Sequence, residues 1–151
     1  SRITGMTAKL LGEEADAKYF NTLADKTADA YVSIFTDGNG RLKEEFQTGY
    51  VLPVYLNMFS EETKRKAADN LAGLVEKADY CIGTGFPGTP YILFALADNG
   101  QEETAFRMLM NTRCPSWLYE VKTGATTIWE RWGWGWMKKE SVRSATTEQT
   151  R

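Results

Sequence analysis

The sequence predicts an all-α chain built of helical hairpins. Three observations carry that expectation. Apolar residues recur at steps of three and four over long stretches. Gly, Asn and Asp clusters separate those stretches at short intervals, as in Thr36-Asp37-Gly38-Asn39-Gly40 and Asn99-Gly100. The remaining apolar run, Phe46–Phe59, is too long for one strand. With 151 residues, 42% of them hydrophobic, the chain is long enough for one domain with a buried core.

Along the chain, a first helix is expected over Met6–Leu11, closed by Gly12 in a left-handed cap. A second follows over Glu14–Ile34, with Ala17, Phe20, Leu23, Ala24, Thr27, Ala28, Tyr31 and Ile34 forming one buried face. Glu13, Glu14 and Asp16 at its start suit the helix dipole without any functional role. Phe46–Phe59 reads as a buried helix that Pro53 kinks or, if the helix begins late, opens. Ser60 is a suitable N-cap for the next helix, where Glu61 and Glu62 face the positive end of the dipole. That helix carries Ala67, Leu71, Leu74, Val75 and Ala78 on one stripe, and Lys64, Arg65, Lys66 and Asp69 on its solvated side.

A Gly-rich loop spans Asp79–Gly88. Thr89 and Pro90 are suited to the cap and first position of a helix through Leu96. Gln101–Met110, with Ala105, Met108 and Leu109 inward, should pair with it as an antiparallel hairpin. Pro115-Ser116 opens a short helix, Trp117–Lys122, which Gly124 ends. Residues 1–132 therefore form the folded body, whereas 133–151, Trp/Gly-rich and then polar, are an atypical tail expected to fray. The opening Ser1-Arg2-Ile3 has neither an initiator Met nor a signal pattern, and reads as a segment cut from something longer.

Composition excludes several chemistries. The chain contains no histidine, so His-based nucleophile activation, proton shuttling and metal ligation cannot come from it. Two cysteines without a CxxC pair argue against a zinc site; they read as free thiols, with one disulfide arithmetically open. No cofactor is implied. A net charge of −2 argues against nucleic-acid binding by phosphate neutralisation, and no apolar run approaches the ~20 residues of a membrane span.

The strongest chemical candidate is Trp129-Glu130-Arg131-Trp132, with Trp117 and Tyr119 upstream. A carboxylate among large rings loses hydration, which raises its pKa toward the range of a general base or acid. Indole faces stack on sugar C–H surfaces while a few polar groups read the hydroxyls. The alternative is that these tryptophans are core anchors and Glu130 pairs with Arg131 at the surface. The loop Gly83-Thr84-Gly85-Phe86-Pro87-Gly88 lacks the Lys-Ser/Thr of a P-loop. It is either shaped to pass close to a ligand or simply a tight inter-helix turn.

Taken together, Thr84-Gly85-Phe86 with Gly88-Thr89-Pro90-Tyr91, then Pro115-Ser116-Trp117-Leu118-Tyr119, then Gly124-Ala125-Thr126-Thr127-Ile128-Trp129-Glu130-Arg131-Trp132 resemble a known pattern. It is that of the catalytic domain of bacterial α-L-rhamnosidases, glycoside hydrolase family 78. Gln47-Thr48-Gly49-Tyr50 and Ala97-Asp98-Asn99-Gly100 are similar to further family segments. The resemblance implies an (α/α)6 toroid of six hairpins, present here in part, and an enzyme that inverts the anomeric centre of a rhamnose-containing glycoside. It implies that Glu130 is the general base, that Trp129 and Trp132 shape the pocket, and that Trp117 and Tyr119 line the sugar subsite. Phe86 and Thr84 lie on the matching loop.

The departures from the family pattern also carry expectations. The family's Asp-x-x-x-Asp-Glu acid motif occurs nowhere in the sequence, and its later histidine is missing. The chain is therefore expected to be a C-terminal part of the barrel that retains the base, lacks the acid and is inactive alone. Helix faces that a whole barrel would bury are expected to drive self-association. A carbohydrate-binding module without chemistry, or a helical interaction scaffold with all aromatics in its core, are the rival readings.

Overall fold

A computed structural model describes residues 1–129 and 132; Glu130, Arg131 and the expected tail 133–151 lie outside the described residues. Seven helices follow one another: α1 (Arg2–Leu10), α2 (Glu14–Phe35), α3 (Gln47–Tyr55), α4 (Glu61–Lys77), α5 (Ile92–Ala97), α6 (Glu102–Leu109) and α7 (Trp117–Lys122). The first six pair as three consecutive hairpins, α1 with α2, α3 with α4 and α5 with α6. No strand forms among the described residues, only an isolated antiparallel bridge between Thr36 and Leu42.

The second and third hairpins share the core. Tyr50, Val51 and Val54 of α3 meet Leu71, Ala72 and Val75 of α4, and Ile92, Leu96 and Met108 close the cluster from α5 and α6. On α4 the buried stripe is Ala67, Ala68, Leu71, Ala72 and Val75, while Ala78 is exposed at the helix end. Ser60 caps α4 as expected, its hydroxyl accepting the Thr63 N–H at 3.3 Å, and Glu61 and Glu62 pair with Lys64 and Lys66. These pairs hold both carboxyls below their ordinary pKa.

Four expectations need correction. Helix α1 starts at Arg2, four residues early, because it packs along α2 and tertiary contact outweighs the weak local pattern. The expected face of α2 is not buried as a unit. Ala17 and Ala28 are covered, but Leu23, Thr27 and Ile34 are exposed, since α2 meets chiefly α1. Helix α3 stops at Tyr55, well short of Phe59, because Asn57 turns to a positive φ of 52°. Helix α5 begins at Ile92, and Thr89 does not cap it: the Thr89 hydroxyl points back to the Gly85 carbonyl at 3.0 Å. In addition, Leu109 is 39% exposed and so not a core residue of α6.

Pro53 lies inside α3, where its missing N–H leaves the Gly49 carbonyl without a helical donor. The Tyr31 hydroxyl supplies the bond from α2 at 2.8 Å. Burial raises the Tyr31 pKa, so the hydroxyl stays protonated and able to donate. This contact ties the first hairpin to the second. We expect Tyr31→Phe to lower the unfolding free energy by about 1–2 kcal/mol, measured in urea, because a part-buried carbonyl then loses its donor. An unchanged midpoint would mean that the carbonyl finds water instead.

Candidate functional site

Two polar anchors shape the region between the hairpins and α7. The first is Gln47, at the start of α3. Its amide donates to the Cys81 carbonyl at 3.2 Å and accepts the Gly83 N–H at 2.6 Å, fixing the start of the Gly-rich loop. A Cβ at position 83 would sit 2.8 Å from the Gln47 Cδ, so glycine is needed there for close approach. The loop is thus a tight turn packed on α3, and no phosphate cradle is required to explain it. Farther along, Ile82 N–H bonds the Pro115 carbonyl at 2.9 Å and couples this loop to the approach of α7.

The second anchor is Glu120 of α7, only 3% exposed. Its carboxylate accepts the Trp129 N–H at 3.4 and 3.3 Å. Burial raises its pKa, and the bond from Trp129 works against that rise. Ser116, wholly buried, caps α7 by accepting the Tyr119 N–H at 3.2 Å. The Cys81 and Cys114 thiols are free and half-buried, and burial pushes the Cys114 thiol up.

Between α5, α6 and α7 runs an open groove of about 1030 Å³. Trp117, Ile128, Trp129 and Trp132 line it, and Trp117 and Trp132 meet edge to face, 5.9 Å between ring centres. Both also lean on the core, so each is packing residue and groove wall at once. Phe94, Phe106 and Leu109 line it as well. Apart from the indoles, Thr89 and Glu102 are the only lining residues with polar side chains among the described residues.

The residues singled out in the sequence therefore separate. Trp117, Trp129, Trp132 and Phe86 share the groove, with Phe86 87% exposed on it. Thr84 is buried, its hydroxyl 2.8 Å from that of Thr89, and it does not line the groove. Tyr119 is half-buried on α7 and is likewise absent from the lining. Glu130, the most important candidate, lies outside the described residues, as does Arg131.

Sequence reasoning missed Gln47 and Glu120 as anchors. Gln47 sits in a segment noticed only for its resemblance, and Glu120 in a short helix looks like an ordinary solvent-facing carboxylate. Among the described residues no group of three His, Cys, Asp or Glu side chains could hold a metal, and no helix is long and apolar enough to cross a membrane.

Comparison with known proteins bears directly on this arrangement. The family model described as the bacterial alpha-L-rhamnosidase 6 hairpin glycosidase domain matches residues 2–146. A curated α-L-rhamnosidase of Formosa agariphila is 35% identical over 134 residues, which is 87% of this chain and 14% of that protein. One of Streptomyces avermitilis is 36% identical over 117 residues, 78% of this chain and 11% of that protein. Among solved structures, that of the Streptomyces avermitilis α-L-rhamnosidase complexed with L-rhamnose matches with a TM-score of 0.78 at 35% identity, over 85% of this chain and 12% of that one. The native enzyme of Aspergillus terreus matches with a TM-score of 0.79 at 33% identity, over 85% and 15%. The chain thus spans a small part of the length of each relative. Its three hairpins match part of an α/α toroid.

Proposed function

Because the chain belongs to the bacterial α-L-rhamnosidase six-hairpin glycosidase family, we propose that it is the part of an inverting α-L-rhamnosidase that carries the general base, Glu130. The observation that supports this most is that Trp117, Trp129 and Trp132 line one groove. Glu130 lies between the second and third of these in the chain.

The chemistry follows from the inverting mechanism. A carboxylate on the face opposite the leaving group takes a proton from water, and that water attacks the anomeric carbon. A second carboxylic acid, roughly 6.5–9.5 Å away, protonates the departing oxygen. Indole surfaces favour a 6-deoxy sugar, whose methyl group and C–H face can be buried without stranding a hydroxyl. The acid motif is absent from the sequence, so the 151-residue chain turns over no rhamnoside by itself.

The groove's lining divides by chemistry in this reading. Sugar hydroxyls need polar partners, and the Phe94, Phe106 and Leu109 side chains offer none, so they form a surface for protein rather than for sugar. Titration with L-rhamnose tests the division. Trp117→Ala should weaken binding by about tenfold, on the order of one lost stacking contact, whereas Phe106→Ala should leave it unchanged. Equal loss in both variants, or none in either, would remove the sugar subsite from the tryptophans.

The same apolar side chains make the isolated chain self-associate. Phe106 is 63% exposed and shares its groove with exposed Phe94 and Phe86, an apolar surface that monomers rarely present. Light scattering should give a mass that grows with concentration and falls in Phe106→Ser. A constant monomer mass at millimolar concentration would contradict this.

A further inference from the structure

We infer that Cys81 and Cys114 form an oxidisable dithiol site: a small-molecule disulfide converts the pair to an internal disulfide that staples the Gly-rich loop to the segment entering α7. The inference goes beyond the glycosidase reading and does not depend on it. Both thiols are free and half-buried, and so within reach of a small oxidant.

A run of contacts zips residues 79–82 against residues 111–115. The Arg113 guanidinium pairs with the Asp79 carboxylate at 2.9 Å, and the Asn111 amide donates to the Asp79 carbonyl at 3.0 Å. The Cys81 thiol faces the Cys114 carbonyl at 3.8 Å, and the Ile82 N–H bonds the Pro115 carbonyl at 2.9 Å. Asp79 and Tyr80 turn to positive φ, 53° and 60°, just before Cys81. Two successive left-handed residues that are not glycine persist only where surrounding contacts hold them, so the place of Cys81 is specified rather than incidental. Its sulfur stands within about 6 Å of the Cys114 Cα, since a carbonyl oxygen is two bonds from its own Cα. A turn about the Cα–Cβ bond of Cys114 then sweeps the second sulfur into the same region.

The two sulfurs have different surroundings. The Asn111 amide donates to the Cys81 sulfur at 3.5 Å, a donor that a thiolate there accepts. The Cys114 thiol donates to the Trp132 carbonyl at 3.5 Å, and burial, with Cys81 and Glu120 adding to it, pushes that thiol's pKa up. Cys81 is therefore the attacking thiol and Cys114 the resolving one. The Cys81 thiolate bonds to one sulfur of oxidised glutathione, the glutathione S–S bond breaks, and one glutathione thiolate leaves. The Cys114 thiolate then displaces the second glutathione from the mixed disulfide. Two protein thiols are oxidised, one glutathione disulfide is reduced, and the two protons end on the released glutathiones. The new bond closes a loop over residues 82–113, which contain the α5–α6 hairpin and with it Phe94, Phe106 and Leu109 of the groove. Oxidation thus constrains that hairpin and takes the thiol donor from the Trp132 carbonyl.

The test equilibrates the 151-residue chain with mixtures of oxidised and reduced glutathione, folded and in urea, then quenches with an alkylating reagent and reads intact mass. The folded chain should lose the mass of two hydrogens and take up no alkyl group. Proteolysis should leave the Cys81 and Cys114 peptides joined, and dithiothreitol should separate them. The effective concentration of one thiol at the other, read from the glutathione ratio at half-oxidation, should be at least about tenfold higher folded than in urea. The oxidised chain should unfold about 5–10 °C above the reduced one. Cys114→Ser should take up one glutathione about fivefold faster than Cys81→Ser. A folded chain that ends with glutathione on each cysteine, or with a disulfide between chains, overturns the inference, as does an effective concentration no higher folded than in urea. Should either serine variant fail to fold, the wild-type comparison still decides. A midpoint that does not rise on oxidation overturns the staple, and the reverse order of the serine variants overturns the assignment of attacking and resolving thiols.

Discussion

Gly40→Ala should lower the unfolding free energy by about 2–5 kcal/mol, whereas Gly38→Ala, two residues earlier in the same turn, should cost only about 1–2 kcal/mol. Both glycines adopt left-handed backbone, with φ of 83° at Gly38 and 87° at Gly40, so both variants bear the conformational cost of a Cβ there. Their surroundings differ. A Cβ at Gly38 meets nothing within 4 Å, but one at Gly40 would lie 2.7 Å from the Thr63 carbonyl oxygen and 3.1 Å from the Ala67 nitrogen. Those are backbone atoms of α4, which cannot swing aside as a side chain can. The Gly40 carbonyl also accepts from the Asn70 amide at 3.2 Å, so any retreat of the turn breaks a second contact. Urea unfolding of the two variants side by side isolates the steric contribution. Equal midpoints would show that the turn moves away from α4 at little cost.

Glu130→Gln is the second large effect. In the α-L-rhamnosidase of Streptomyces avermitilis with this segment substituted for its counterpart, kcat should fall by ~10²–10⁴-fold, equivalent to about 3–5 kcal/mol of transition-state stabilisation. Glutamine fills the same space and makes similar hydrogen bonds but cannot take a proton from water, so KM should change little. The pH profile adds a stricter criterion. A general base works only when ionised, so the parent chimera should lose activity as pH falls through its pKa. That acidic limb should disappear in the residual rate of Glu130→Gln. Retention of full kcat, or of the limb, would assign the base elsewhere.

The residues that gave themselves away in the sequence are those whose role is local. Ser60 is a recognisable cap because an N-cap acts on an amide three residues ahead. The α5–α6 hairpin follows from Asn99-Gly100, where the left-handed Gly100 turns the chain back on itself. Trp117, Trp129 and Trp132 stand out by side-chain type, and they do line one groove. Tyr119 and Thr84 share the same motifs but face other partners. Adjacency in a motif does not set side-chain direction once the chain turns.

What the sequence determined by itself was helicity and the pairing of neighbouring helices, and the absence of histidine, which leaves no imidazole in the chain for acid–base work. Tertiary structure alone decided how far those helices run, and which polar side chains became anchors. The α2 face stays open because its chief neighbour is α1. Tyr31 completes the bond that Pro53 denies Gly49, eighteen residues away in the chain. Gln47 holds a loop 36 residues distant, and Glu120 is buried because the chain returns to offer it an amide. Periodicity and capping are written in residues three or four apart, whereas these contacts depend on how the hairpins stack.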